Sequence, residues 1–285
     1  MSVDQLQNKI RKLKNPSMVQ FVLDGSVIPP DYRTTDDVTS DYLQYAKALL
    51  TALKDTVPAV RFDFGTYAAA GTKGLTALAE LLNEASVLGY YVLLEAPASY
   101  APGAAAFVAQ QLEENWKFDG LLLNCYMGSD GVKPFAEQLA GNERDLFLAM
   151  RTANKSASEI QDLLTGTRLV YTVVADMAKR LGADVLARCG YSRIAGVGPA
   201  TSADTLQQLR AKYPSMFLLI DGYDYSGANA KNCSMAFDKF GHGAIACAGD
   251  SIIGAWQEEG GDPVEQAVFA AEKMKKNLTR YIDIL

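Results

Sequence analysis

Eight short apolar runs recur along this chain, each ending on or just before a polar residue or glycine: 18–24, 59–63, 90–95, 120–124, 146–151, 193–198, 217–221 and 243–247. They are apolar throughout rather than alternating, which suits parallel strands covered on the outside by helices. Amphipathic stretches of helical length separate them. Residues 41–53 place Tyr42, Tyr45, Ala46, Leu49, Leu50 and Leu53 on one stripe, and 72–88 do the same with Leu75, Leu78, Ala79, Leu82 and Ala85. Further helices are expected over 104–116, 131–140, 170–189, 203–213, 228–239 and 263–281. Eight strand–helix units in 285 residues, 49% of them hydrophobic, predict one α/β domain over 1–285, a (βα)8 TIM barrel. An open doubly wound sheet is the alternative. Residues 1–16 are expected to form a helix that caps the barrel floor. No linker, low-complexity segment or internal repeat interrupts the pattern.

Composition excludes several function classes. A net charge of −6 and a pI near 5.0 argue against nucleic-acid binding, which draws most of its affinity from basic surface. No run of about 18 apolar residues exists, so no membrane span is expected. The first sixteen residues carry Lys9, Arg11, Lys12 and Lys14 without an apolar stretch, unlike a secretory signal. Cys125, Cys189, Cys233 and Cys247 are scattered, and His242 is the single histidine. That set suits reduced thiols in the cytoplasm rather than disulfides or structural zinc.

In a (βα)8 barrel the active site sits at the carboxyl ends of the strands. The residues to watch are therefore Asp24, Arg61, Asp63, Glu95, Asn124, Arg151, Gly198, Asp221 and Asp250. Any one of them has an ordinary explanation as a helix cap or solvated loop residue. As a set they converge on one mouth, with five carboxylates and two arginines.

Several segments carry a resemblance. Asn124-Cys125-Tyr126-Met127-Gly128-Ser129-Asp130-Gly131-Val132-Lys133-Pro134-Phe135 resembles the Asn-Pro-Tyr-Leu-Gly-x-Asp-x-x-x-Pro-Phe stretch of the bacterial long-form orotidine 5′-phosphate decarboxylases. Arg151-Thr152-Ala153-Asn154 is similar to that family's Arg-Thr-Ser-Asn segment. Leu23-Asp24, Gly196–Pro199, Asp221-Gly222-Tyr223 and 243–253 fall in order at its first, sixth, seventh and eighth strand ends. The resemblance implies a barrel, a homodimer, no cofactor, and conversion of orotidine 5′-phosphate to UMP and CO2 in pyrimidine biosynthesis. It also implies a ligand set of Asp24, Asn124, Arg151, Asn154, Gly198, Asp221, Tyr223, Ser226, Gly227 and Asp250.

The same alignment locates the departures. The family's reaction rests on a lysine followed at the next strand end by Asp-x-Lys-x-x-Asp. Here those positions read Arg61, Glu95, Pro97 and Tyr100. Pro97 has no titratable proton to give a carbanion. The family holds phosphate with amides after the seventh strand and an arginine after the eighth. Asp250 stands in the arginine's place, while Ser226-Gly227-Ala228 retain amides at an expected helix start.

Two expectations follow. The chain is either an enzyme of this superfamily, with Arg61, Asp63, Glu95 and Tyr100 as its acid–base and electrostatic groups, or a non-catalytic, ligand-sensing paralogue on the same barrel. In either case the expected partner is a small molecule, nucleotide-like if the resemblance extends to the ligand, and not a nucleic acid or a membrane. A Mg2+ site among Asp24, Asp63, Glu95, Asp221 and Asp250 is a third option. Pairing of those carboxylates with Arg61 and Arg151 competes with it.

Overall fold

All eight apolar runs form strands. The computed structural model describes residues 2–96 and 102–285. The strands are β1 (Ser17–Phe21), β2 (Ala59–Asp63), β3 (Tyr91–Glu95), β4 (Gly120–Leu123), β5 (Asp145–Ala149), β8 (Ser192–Pro199), β9 (Met216–Asp221) and β10 (Ala244–Ala248). They pair in parallel, and β1 hydrogen-bonds both β2 and β10, so the sheet closes into a barrel and the open-sheet alternative is excluded. A short antiparallel hairpin, β6 (Leu164–Thr165) with β7 (Arg168–Leu169), lies outside the barrel.

The helices are α1 (Val3–Leu13), α2 (Val38–Leu53), α3 (Phe64–Ala69), α4 (Gly71–Val87), α5 (Pro102–Asn115), α6 (Ser129–Gly141), α7 (Val170–Leu181), α8 (Ala203–Lys212), α9 (Ala230–Ser234), α10 (Asp250–Ile253), α11 (Trp256–Glu259) and α12 (Pro263–Leu278). Two are shorter than the periodicity predicts. The helix expected over 170–189 stops at Gly182, where an added Cβ would lie 2.3 Å from Ser192 Oγ. The one expected over 228–239 starts only at Ala230, capped by Asn229, and is over by Ser234.

The expected floor helix is present. α1 buries Val3, Leu6 and Ile10, and the Gly243 amide before β10 donates to Gln7 Oε1 at 3.0 Å. Lys9 Nζ donates to the Gly89 carbonyl just before β3, so α1 spans the amino ends of the strands. Inside the barrel, Gly120 is required by bulk: a Cβ there would lie 2.4 Å from Tyr91 Oη and 3.1 Å from the Phe147 ring. The space it leaves lets Tyr91 Oη donate to the buried Asp145 carboxylate at 2.7 Å. Burial pushes the Asp145 carboxyl up to about 8. Among the described residues, no helix is long and apolar enough to cross a membrane.

Candidate active site at the barrel mouth

Strand register builds the mouth. Gln20 on β1 pairs with Arg61 on β2, and one layer higher Asp63 pairs with Glu95 on β3. Residues paired across parallel strands share a face, so all four point into the barrel. They line a cavity of about 350 Å3 with Asp221, Asp224, Tyr225, Cys247, Gly249 and Asp250. That volume suits a small metabolite.

Arg61 is the centre of this layer. Only 4% exposed, it donates from Nη1 to Asp221 Oδ1 at 2.8 Å and from Nη2 to Glu95 Oε2. Burial alone would lower its pKa, but Asp221 and Glu95 outweigh burial and hold it well above the ordinary value. A guanidinium so clamped stays protonated and is no proton donor or acceptor at neutral pH. Cys247 lies beside it, and burial pushes that thiol up to about 12, so it is not a ready nucleophile.

The seventh and eighth loops are tied to each other. Gly222 holds a φ of +77°, and an added Cβ would lie 2.3 Å from Ala153 Cβ, so only glycine fits this turn. The turn carries Asp224 across to the start of α10. There Asp224 Oδ2 accepts the Gly249 amide at 2.6 Å and Oδ1 accepts the Ser251 hydroxyl. The protein's own carboxylate thus takes donors that the eighth loop would offer a bound anion. Asp250 follows immediately. Burial, then the charges of Asp224 and Asp24, raise its pKa above the usual carboxylate range.

The structure brings Arg61, Asp63, Glu95, Asp221 and Asp250 together and places the other expected residues elsewhere. Asp63 Oδ1 caps α3 through the Thr66 amide at 3.0 Å. Asp24 accepts both the amide and the hydroxyl of Ser26 at 2.8 Å, on the rim rather than in the cavity lining. Arg151 forms a two-pronged pair with Asp162, at 2.8 and 2.9 Å, and Asn154 accepts the Thr152 hydroxyl at 2.6 Å. Asn124 is exposed and holds the Tyr126 amide in a local turn. Gly198 serves packing, since a Cβ there would lie 2.9 Å from Leu206 and 3.1 Å from Leu209 of α8. Tyr223 lines the grooves beside α12. Ser226 and Gly227 precede α9 in an exposed turn, where the neighbouring Ala228 amide is already bound to the Tyr225 carbonyl at 3.0 Å. Pro97 and Tyr100 lie outside the described residues.

Sequence reasoning missed Gln20, Asp224, Tyr225 and Cys247. Gln20 had a signal, being the one polar residue within the apolar run 18–23. Among the cavity's lining residues five carboxylates (Asp63, Glu95, Asp221, Asp224 and Asp250) face one guanidinium, a formal excess of four negative charges. No group of three or more His, Cys, Asp or Glu side chains among the described residues is arranged to hold a metal ion.

No protein-family model matches the chain. It is similar to the orotidine 5′-phosphate decarboxylase of Clostridium perfringens strain 13, 30% identical over 262 residues that cover 90% of each protein. The enzyme of the same name from Clostridium novyi is 26% identical over 284 residues, 98% of each. Among solved structures, the orotidine 5′-monophosphate decarboxylase of Plasmodium berghei superposes with a TM-score of 0.80 at 13% identity, covering 98% of this chain and 99% of that one, a likeness of fold. With relatives of this similarity along nearly its whole length, the chain belongs to the orotidine 5′-phosphate decarboxylase family.

Proposed function

We propose that this member of the family does not decarboxylate orotidine 5′-phosphate and uses its barrel mouth to bind a small ligand that lacks a phosphate. The observation that carries this reading is Asp224, whose carboxylate takes the Gly249 amide and Ser251 hydroxyl with Asp250 directly beside it. A phosphate dianion entering there must displace one carboxylate and sit next to another. Two unit charges of like sign 4 Å apart repel by about 4 kcal/mol at an effective dielectric of 20, and a dianion roughly doubles that. Binding of remote, non-reacting groups is what lowers a barrier of this kind, so losing the phosphate anchor costs rate as well as affinity.

The chemistry at the other end of the mouth supports the same reading. The family's proton-donating lysine aligns with Pro97. Arg61, the one buried cation among the described residues, is committed to Glu95 and Asp221. Loss of a single general acid costs on the order of 10²–10⁴-fold. The excess of carboxylates favours a cationic or neutral ligand, and with no lysine at the donor position this supports a ligand-sensing role over a catalytic one. Titration calorimetry with UMP in the presence of excess glycerol 2-phosphate, which saturates any general phosphate site elsewhere on the chain, tests this: no saturable heat up to a UMP concentration of about 1 mM is expected. Micromolar binding of UMP would overturn it.

A further inference from the structure

A second cavity, of about 580 Å3, lies at the opposite end of the barrel, between α1 and the loops that lead into β8 and β10. Its chemistry is the reverse of the mouth's. Arg11, Arg188, Arg193 and His242 line it, against the two carboxylates Asp4 and Glu143. Neither carboxylate neutralises the arginines closely. Asp4 is turned to the backbone, accepting the Cys189 amide at 2.6 Å and the Arg188 amide at 3.2 Å. Glu143 is 84% exposed and approaches Arg193 Nη2 only to 3.6 Å.

Three sets of donors here are left over. Gln7 is 97% buried (3% exposed), with its Oε1 fixed by the Gly243 amide, and its Nε2 has no partner among the described residues. Arg193 Nη1 is likewise buried without a partner. The eleven-residue helix α1 starts at this cavity, and its cap residue Ser2 makes no side-chain bond to the first amides. A buried donor without an acceptor forfeits its solvation with nothing in return, so an arrangement that strands several on one cavity calls for an acceptor. Arg11 Nε and His242 Nε2 meet at the Leu285 carbonyl, each at 3.0 Å, and so close one side.

We propose that this floor cavity binds a small phosphate anion, either inorganic phosphate or the phosphoryl group of a monoester. Guanidinium groups, the unpaired Nε2 of Gln7 and a helix amino end all offer donors, and they match the several oxygens of a tetrahedral dianion. The volume exceeds that of phosphate alone and leaves room for a small esterified group. The site is independent of the mouth, because it lies at the amino ends of the strands and shares no lining residue with that cavity.

Calorimetry on the full chain, with inorganic phosphate, glycerol 2-phosphate and malonate as separate titrants, tests this. Phosphate is expected to bind one per chain with a Kd below about 1 mM. Tighter binding of glycerol 2-phosphate assigns the site to monoesters, and tighter binding of inorganic phosphate assigns it to the free ion. Arg188→Glu, on an exposed loop residue, and Gln7→Glu, which keeps the acceptor for Gly243 but removes the free donor, should each weaken phosphate roughly tenfold or more. No saturable phosphate binding, affinity unchanged in Arg188→Glu, or malonate binding more tightly than phosphate would each overturn the assignment.

Discussion

The mouth and the floor of this barrel carry opposite charge logic on one frame. At the mouth five carboxylates surround one guanidinium, and Asp224 satisfies the eighth loop's amide and hydroxyl from within the protein. At the floor arginines outnumber carboxylates, and Gln7 and Arg193 keep donors unpaired. The strands and helices that make both ends are those of the family. On that shared frame, the side chains that line each end decide what it attracts. Fold and ligand are thus separately encoded, as expected when function is grafted onto a common scaffold.

The clamp at the mouth is the strongest single point of the comparison and the place to break it first. Replacing Arg61 with Met strands Glu95 and Asp221 without a cation, and loss of about 3–5 kcal/mol of unfolding free energy in urea is expected. A change below about 1 kcal/mol would mean the pair is solvated and contributes little.

Asp145 comes next, buried at the amino end of β5 and within the field of Arg193. Its folded pKa, pushed up to about 8 by burial, lies above the ordinary carboxylate value near 3.8. The folded state then binds the extra proton, so stability should fall as pH rises from about 4 to 8 and level off above, at up to about 1.4 kcal/mol per unit. Asp145→Asn should flatten that slope and still accept from Tyr91. A slope unchanged in the variant would assign the pH dependence elsewhere.

The outer wall should respond without touching either end. Gly198→Ala drives a methyl against Leu206 and Leu209 and should cost about 1–3 kcal/mol by overpacking, with ligand binding at both cavities unaltered. Altered ligand binding would show that this wall positions a loop.

Much of this frame was legible in the sequence. The run 59–63 coincides with β2, and 90–95 overlaps β3 to within one residue, because strands buried on both faces read as unbroken apolar stretches. Arg61, Asp63, Glu95, Asp221 and Asp250 could be expected to meet in one cavity because the fold brings strand ends together at the mouth. Asp224 could not. Its role depends on a turn that carries it 25 residues along the chain to Gly249, and no periodicity reports where a loop side chain lands. Arg151 lies outside that cavity for the same reason, since its partner Asp162 sits in the loop after a short 3-10 turn (Lys155–Glu159) and not on a strand. The donors around Gln7 were equally invisible, as an amide on a helix gives no sign in sequence that its second half is unpaired.

The smallest expected effect on stability sharpens the comparison most. Asp224→Ala with Asp250→Arg should lower stability by only about 1–2 kcal/mol while releasing the eighth-loop donors and restoring a cation. UMP should then bind at least roughly tenfold better than to the unmodified chain. Unchanged affinity would show that the mouth rejects phosphate for reasons other than these two carboxylates.

Decarboxylation itself is the most direct test of what the mouth has become. Purified chain is incubated with orotidine 5′-phosphate, loss of substrate absorbance is followed, and the Clostridium perfringens relative serves as the standard. With the proton donor and the phosphate anchor both lost, as proposed, the expected rate lies at least about 10⁴-fold below that standard. Turnover within about tenfold of the standard would contradict the reading, and would mean that this barrel supplies a proton donor other than the residue at position 97 and tolerates a phosphate beside Asp224 and Asp250.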